Sequence, residues 1–126
     1  MNQVYLATIL DLDDDVEEEV LLRIEGHDIV CFASVAPYAL QEGQVCPVIL
    51  ELQVFDQYEV TASESAVAGF DRIGHGFGYR ITGRLYGDAL DAGIVFHNEM
   101  FRTFGLLQDR FVTVVVNRID AQFLEE

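Results

Sequence analysis

Lysine is absent from this 126-residue chain, and so is tryptophan. Without lysine there is no Schiff-base amine and no phosphate-gripping side chain of a P-loop. Cysteine is scarce too. Cys31 and Cys46 sit in the apolar stretches V-C-F-A and V-C-P-V, form no C-x-x-C pair, and with no third sulfur build no thiolate zinc site. Both are expected to be free, buried thiols in a reducing compartment. Long apolar runs are also missing: uninterrupted stretches such as residues 29–33 fall far short of a bilayer's thickness. The opening M-N-Q-V-Y-L has neither the basic region nor the apolar segment of a signal peptide. The expectation is a cytoplasmic protein that does not engage a membrane.

Positive charge is the next shortage. Seven arginines oppose 22 acidic residues, for a net charge of −15. Residues 1–63 carry thirteen acidic side chains against Arg23 alone, while residues 64–126 carry nine against six arginines. Such a surface repels nucleic acid and anionic membranes at long range. It suits either plain solubility or a partner with a basic face.

What the chain does have is apolar side chains, at 51% of residues, with nine Phe and five Tyr. Disorder is excluded despite the charge. One domain over residues 1–126 is expected, large enough for a core without disulfides or a metal.

The pattern is one of strands. Residues 4–12 (V-Y-L-A-T-I-L-D-L) read as a strand, and residues 20–25 and 29–35 as a hairpin turning at Gly26. In residues 45–55, Cys46, Val48, Leu50, Leu52 and Val54 share one face, opposite Pro47, Ile49, Glu51 and Gln53. That alternation predicts a sheet with one wet side and Leu50 in the core. Residues 73–87 (I-G-H-G-F-G-Y-R-I-T-G-R-L-Y-G) also alternate, and their glycines predict one long bent strand over 73–86. Residues 94–98 are expected to pair with 79–86. Asn98 is expected to cap a short helix reaching Asp109, and residues 111–123 to form a β-branched final strand. The sum is an all-β fold with one short helix: a small antiparallel barrel of six to seven strands, OB-like in shape, or a closely related sandwich. The likeness to OB barrels is one of shape and by itself carries no function.

Catalytic and metal motifs fail one by one. Asp11, Asp13 and Asp15 open like an EF-hand loop, but Val16 stands where its glycine belongs and Leu22 where its glutamate belongs. A looser calcium site would need several of these carboxylates to converge. His97 and Glu99 give the H-x-E of a zinc deaminase without its P-C-x-x-C. The G-H-G-F-G of residues 74–78 fits neither phosphate-loop pattern, and Ser63 and Ser65 lie outside any G-x-S-x-G elbow. His27, His75 and His97 are expected to be structural. No enzyme, cofactor or resident metal is expected.

Two surfaces stand out. Residues 11–19 hold seven carboxylates in nine positions, a block that repels itself unless something neutralises it. Asp13, Asp14, Asp15, Glu17, Glu18 and Glu19 form the first candidate, a docking surface for a basic protein partner in an inhibitor-, immunity- or adaptor-like role. The competing interpretation is a solvated charged loop. Arg80, Thr82, Arg84 and Tyr86, alternating along one strand face, form the second candidate. Guanidinium and phenol groups at that spacing suit a nucleotide, oligonucleotide or anionic small ligand. The bland alternative is arginines bridging neighbouring acids.

Overall fold

Eleven strands form two sheets in the computed structural model, which describes residues 3–125. β1 (Val4–Leu12), β2 (Glu19–Ile24), β3 (His27–Val35), β4 (Val45–Gln53) and β11 (Arg118–Phe123) close into a ring in the order β1-β2-β3-β11-β4. All its pairings are antiparallel except β3 with β11. Residues 54–117 leave the ring after β4 and return into β11. They build the second sheet, from β5 (Glu59–Ala62), β6 (Gly69–Arg72), β7 (Tyr79–Tyr86), β8 (Ala89–Asp91), β9 (Val95–His97) and β10 (Arg110–Val116). Its order is β5-β10-β7-β8-β9, with β6 also on β7. The all-β expectation holds; the strand count is eleven rather than six or seven, because β5, β6 and β8 lie where the sequence reads as turn or loop and residues 111–123 form two strands instead of one.

The β2–β3 hairpin forms as its sequence requires. Glu25 (φ 51°) and Gly26 (φ 79°) make a two-residue turn with both positions left-handed, which matches the twist of the strands they join. β4 buries Cys46, Val48, Leu50 and Leu52 and turns Pro47, Ile49, Glu51 and Gln53 outward. Both sheets feed one hydrophobic cluster in which Leu50, Ile81, Phe96, Phe101 and Phe123 are almost fully buried. Two tyrosines staple the sheets together. Tyr5 of the ring accepts a 2.8 Å hydrogen bond from the Val95 amide, and Tyr79 accepts one of 2.7 Å from the Val30 amide. Cys31 and Cys46 are unpaired and buried, and burial pushes the Cys31 thiol well above its ordinary pKa.

Four expectations are corrected. Residues 111–123 are not one final strand: they break at Asn117 into β10 of the second sheet and β11 of the ring. Residues 73–86 are not one strand: 73–78 are the turn of the β6–β7 hairpin and only 79–86 is strand. Gly74 adopts φ +64°, the Ile73 amide closes onto the Gly78 carbonyl at 2.8 Å, and Arg72 caps the His75 and Gly76 carbonyls. The alternation over 73–78 came from glycines that have no side chain to place on either face, so it recorded no pleat. Residues 99–109 are not a continuous helix but two short 3₁₀ turns, Glu99–Thr103 and Gly105–Leu107. Asn98 does cap the first, accepting from the Met100 amide at 2.9 Å. Phe104, at φ −97° and ψ 58°, breaks the spiral, and of Met100, Phe101, Phe104 and Leu107, which are spaced as on a helix, only Phe101 is buried. Finally, β9 pairs with β8, which inserts between it and β7.

One charged residue, Asp120 of β11, is buried among the described residues. Arg118 reaches it at 2.7 Å, and the same guanidinium lies 4.0 Å from the centre of the Phe32 ring. The pair is a satisfied structural ion pair on the outer side of the ring.

Candidate functional site

The acidic run forms the loop between β1 and β2. It is ordered from within: Asp13 accepts the Asp15 and Val16 amides at 2.8 Å each, a turn made by its own carboxylate. Those two amides, Val16's first, hold the Asp13 carboxyl below its ordinary value. The Glu19 amide bonds the Val16 carbonyl, and the Asp13 amide bonds Glu19's. The loop is thereby pinned to the base of β2.

The loop borders a cavity of about 780 Å³ that lies between it and the segment joining β3 to β4. Asp13, Asp14, Glu17 and Glu18 line one side. Leu12, Ala33, Ala36, Ala39, Leu40 and Tyr38 line the rest. The six residues expected as one acidic surface therefore divide. Four line the cavity, Asp15 is exposed away from that lining, and Glu19 begins β2 and pairs with Arg72 at 3.7 Å. Sequence reasoning missed the apolar half, whose residues other than Leu12 come from the 33–40 segment. Its signal was the small, apolar stretch A-S-V-A-P-Y-A-L, which runs from the end of β3 into the connection that follows.

A site with carboxylates on one side and methyl and ring surface on the other matches a cation carried on an apolar stem. The four acids do not make a metal centre. Among the described residues no three His, Cys, Asp or Glu side chains stand where they could hold one ion.

Arg80, Thr82, Arg84 and Tyr86 do share the outward face of β7, as expected. Thr82 and Thr113 of β10 place their hydroxyls 3.2 Å apart. Arg84 lies 3.8 Å from Asp109, both exposed. Arg80 faces Asp71 across the β6–β7 pair, yet makes no ion pair among the described residues. Bridging to acids thus accounts weakly for one arginine and not for the other.

The histidines do not assemble. His75 is exposed in the β6–β7 turn and His97 ends β9 near the far end of β7. His97 instead sits 3.2 Å from Asp88, whose carboxyl it holds below the ordinary range. His27 packs edge-on against Phe70 at 5.0 Å. Ser63 and Ser65 close a local turn on one another. No helix of the described residues is long and apolar enough to cross a membrane.

The chain belongs to the family described as Uncharacterised conserved protein UCP019853, whose model matches residues 3–124. The match spans both sheets and the acidic loop, so ring and inserted sheet belong to one family unit. No curated protein and no solved structure matches the chain.

Proposed function

We propose that this protein is a non-enzymatic binding module that docks a basic protein partner at the acidic cavity between the β1–β2 loop and the 33–40 segment. The observation that carries the reading is that Asp14, Glu17 and Glu18 line one cavity together with apolar residues of the 33–40 segment. A merely solvated loop would spread its carboxylates to lower their repulsion. Here Asp14, Glu17 and Glu18 all border the same cavity, and none of them makes an ion pair with an arginine among the described residues. A cationic side chain entering the cavity would relieve that repulsion and cover apolar wall in one step.

The ring supports an OB-like reading of the same site. Five strands closed as β1-β2-β3-β11-β4, with the second sheet inserted ahead of the last strand, suit the strand order of a small Greek-key barrel, and in OB barrels the loop between the first two strands flanks the ligand face. The acidity of that loop directs the reading away from nucleic acid and towards a basic protein. The charge and the reducing state of both thiols fit a cytoplasmic setting.

The test compares two charge-matched variants. D14N/E17Q/E18Q removes the cavity carboxylates, and D56N/E59Q/E64Q removes three exposed ones elsewhere. Association of a labelled arginine-rich peptide is followed by stopped flow over a range of salt. The cavity variant is expected to bind more slowly and with a shallower salt dependence than the control. Equal rates for both would mean that only net charge matters, and the site would be lost.

A second reading rests on Arg80, which is exposed and makes no ion pair among the described residues, beside the Thr82–Thr113 contact. The Arg80/Thr82/Arg84/Tyr86 face would then bind a nucleotide, oligonucleotide or anionic small ligand. R80Q/R84Q abolishing binding of such an anion would establish it.

A further inference from the structure

The outer side of the ring carries an apolar face that no described residue covers. Val4 and Leu6 of β1 are 56% and 67% exposed, and Val45 of β4 is 52% exposed. The register makes these one surface: Val4 lies opposite Ile49, Leu6 opposite Pro47, and Thr8 opposite Val45. The row continues from Ile49 to Gln122 of β11 and on to Val35 of β3, itself 47% exposed. The Val4–Ile49–Gln122–Val35 and Leu6–Pro47 rows carry no charged residue; Arg23 of β2 follows Thr8, and the Arg118–Asp120 pair of β11 borders the face. On a chain of net charge −15, a neutral apolar stretch across four strands is the behaviour of a contact surface.

This face is joined to the acidic cavity. The Tyr38 hydroxyl, on the cavity wall, donates to the Leu124 carbonyl at 3.1 Å, and the Leu124 amide donates to the Pro47 carbonyl at 3.0 Å. Pro47 is the direct neighbour of Leu6. Leu124 therefore lies between the Tyr38 wall of the cavity and the Pro47–Leu6 row of the apolar face.

We infer that the apolar face and the cavity are two halves of one docking surface, whose occupant is an amphipathic basic helix of a partner protein. The inference rests on the reading of the cavity as a basic-partner site and adds the partner's form. Basic side chains enter the cavity while an apolar stripe lies across β1 and β4. The occupant does not add as a strand, because β1 and β4 are each paired on both sides. Four strands at the usual spacing span roughly 15 Å, which about ten residues of helix cover. A second copy fits poorly: laying face on face would bring two acidic cavities together, each beside the seam. An anionic membrane fails for the same reason.

Labelled helical peptides of about 15 residues provide the test, read by fluorescence anisotropy with the intact protein. One has Leu on one face and Lys on the other, one has Ser in place of Leu, and one has Gln in place of Lys. The Leu/Lys peptide is expected to bind about tenfold or more tighter than either of the others. L6S/V45S, both at exposed positions, should erase its advantage over the Ser/Lys peptide. Equal binding of Leu/Lys and Ser/Lys peptides to the wild-type protein overturns the inference while leaving the acidic docking reading standing. Leu/Gln binding as tight as Leu/Lys overturns it by detaching the face from the cavity. If only the two lysine peptides bind, and D14N/E17Q/E18Q leaves both unchanged, the docking reading falls and the inference with it. The comparison on wild-type protein decides the matter even if a variant fails to fold. Sedimentation as a dimer that L6S/V45S converts to monomer would assign the face to a second copy and overturn the proposal.

Discussion

The Tyr79 hydroxyl sits 2.7 Å from the Val30 amide and accepts its hydrogen. β11 joins β3 only from Phe32 onward, so Val30 lies ahead of that ladder. Tyr79, buried in the second sheet's first long strand, supplies the missing acceptor and so fixes that sheet against the ring. Burial also raises the phenol's pKa, which keeps it neutral.

Tyr79→Phe should therefore destabilise the fold by about 1–3 kcal/mol, since it strands a buried amide while removing little volume. Urea unfolding of both proteins measures this. A loss near zero would mean that the sheets are held by packing alone.

Gly83 supports a second expectation. A methyl group there would stand 2.6 Å from the Asp91 carbonyl oxygen and 3.1 Å from the Ala92 Cα, both backbone. β8 can lie against β7 only because position 83 has no side chain. Gly83→Ala should cost about 1–3 kcal/mol by overpacking, whereas Gly76→Ala, in open space at negative φ, should be nearly neutral. Thermal or urea midpoints of the two variants give the comparison.

These two residues also show where sequence reading stops. Tyr79 and Gly83 both lie in a stretch whose alternation was legible, and their strand was found. Neither partner was, because Val30 and Asp91 are met through packing between sheets and strand order. The face of β4 was readable because Glu51 and Gln53 contrast with Leu50 and Leu52. β1 was not, since V-Y-L-A-T-I-L is apolar on both sides. Only the ring's closure shows that Ala7 and Ile9 are inside while Val4 and Leu6 are out. In the candidate site the carboxylates were visible as a charge block. Tyr38 and Leu40 reach them only through the folding of the 36–44 connection, whose Gly43 and Gln44 bond to Ile9.

Cys31 and Cys46 should resist thiol reagents until the protein unfolds. Both are enclosed, and burial raises the Cys31 thiol so far that its thiolate is scarce at neutral pH. Labelling rates should follow global unfolding and accelerate in urea. Rapid modification of both thiols in the folded protein would show that the core opens locally.

Asp13 should behave differently from its acidic neighbours, and pH separates them. Its carboxylate accepts two amides within the β1–β2 loop, and its folded pKa is depressed below the ordinary 3.8. A depressed folded value means that the charged form is favoured by folding. Its contribution is present above the unfolded pKa and is lost as pH falls through the folded one. Asp13→Ala should then lower the melting temperature at neutral pH, and the gap to wild type should close as pH drops below about 4. Glu17→Gln should do the reverse at neutral pH, leaving the melting temperature unchanged or slightly raised by relieving repulsion among the cavity carboxylates. Paired melting curves from pH 7 to pH 3 decide between them. If Asp13→Ala loses as much at pH 3 as at pH 7, the two hydrogen bonds do not depend on charge. The loop would then be ordered by its backbone ties alone.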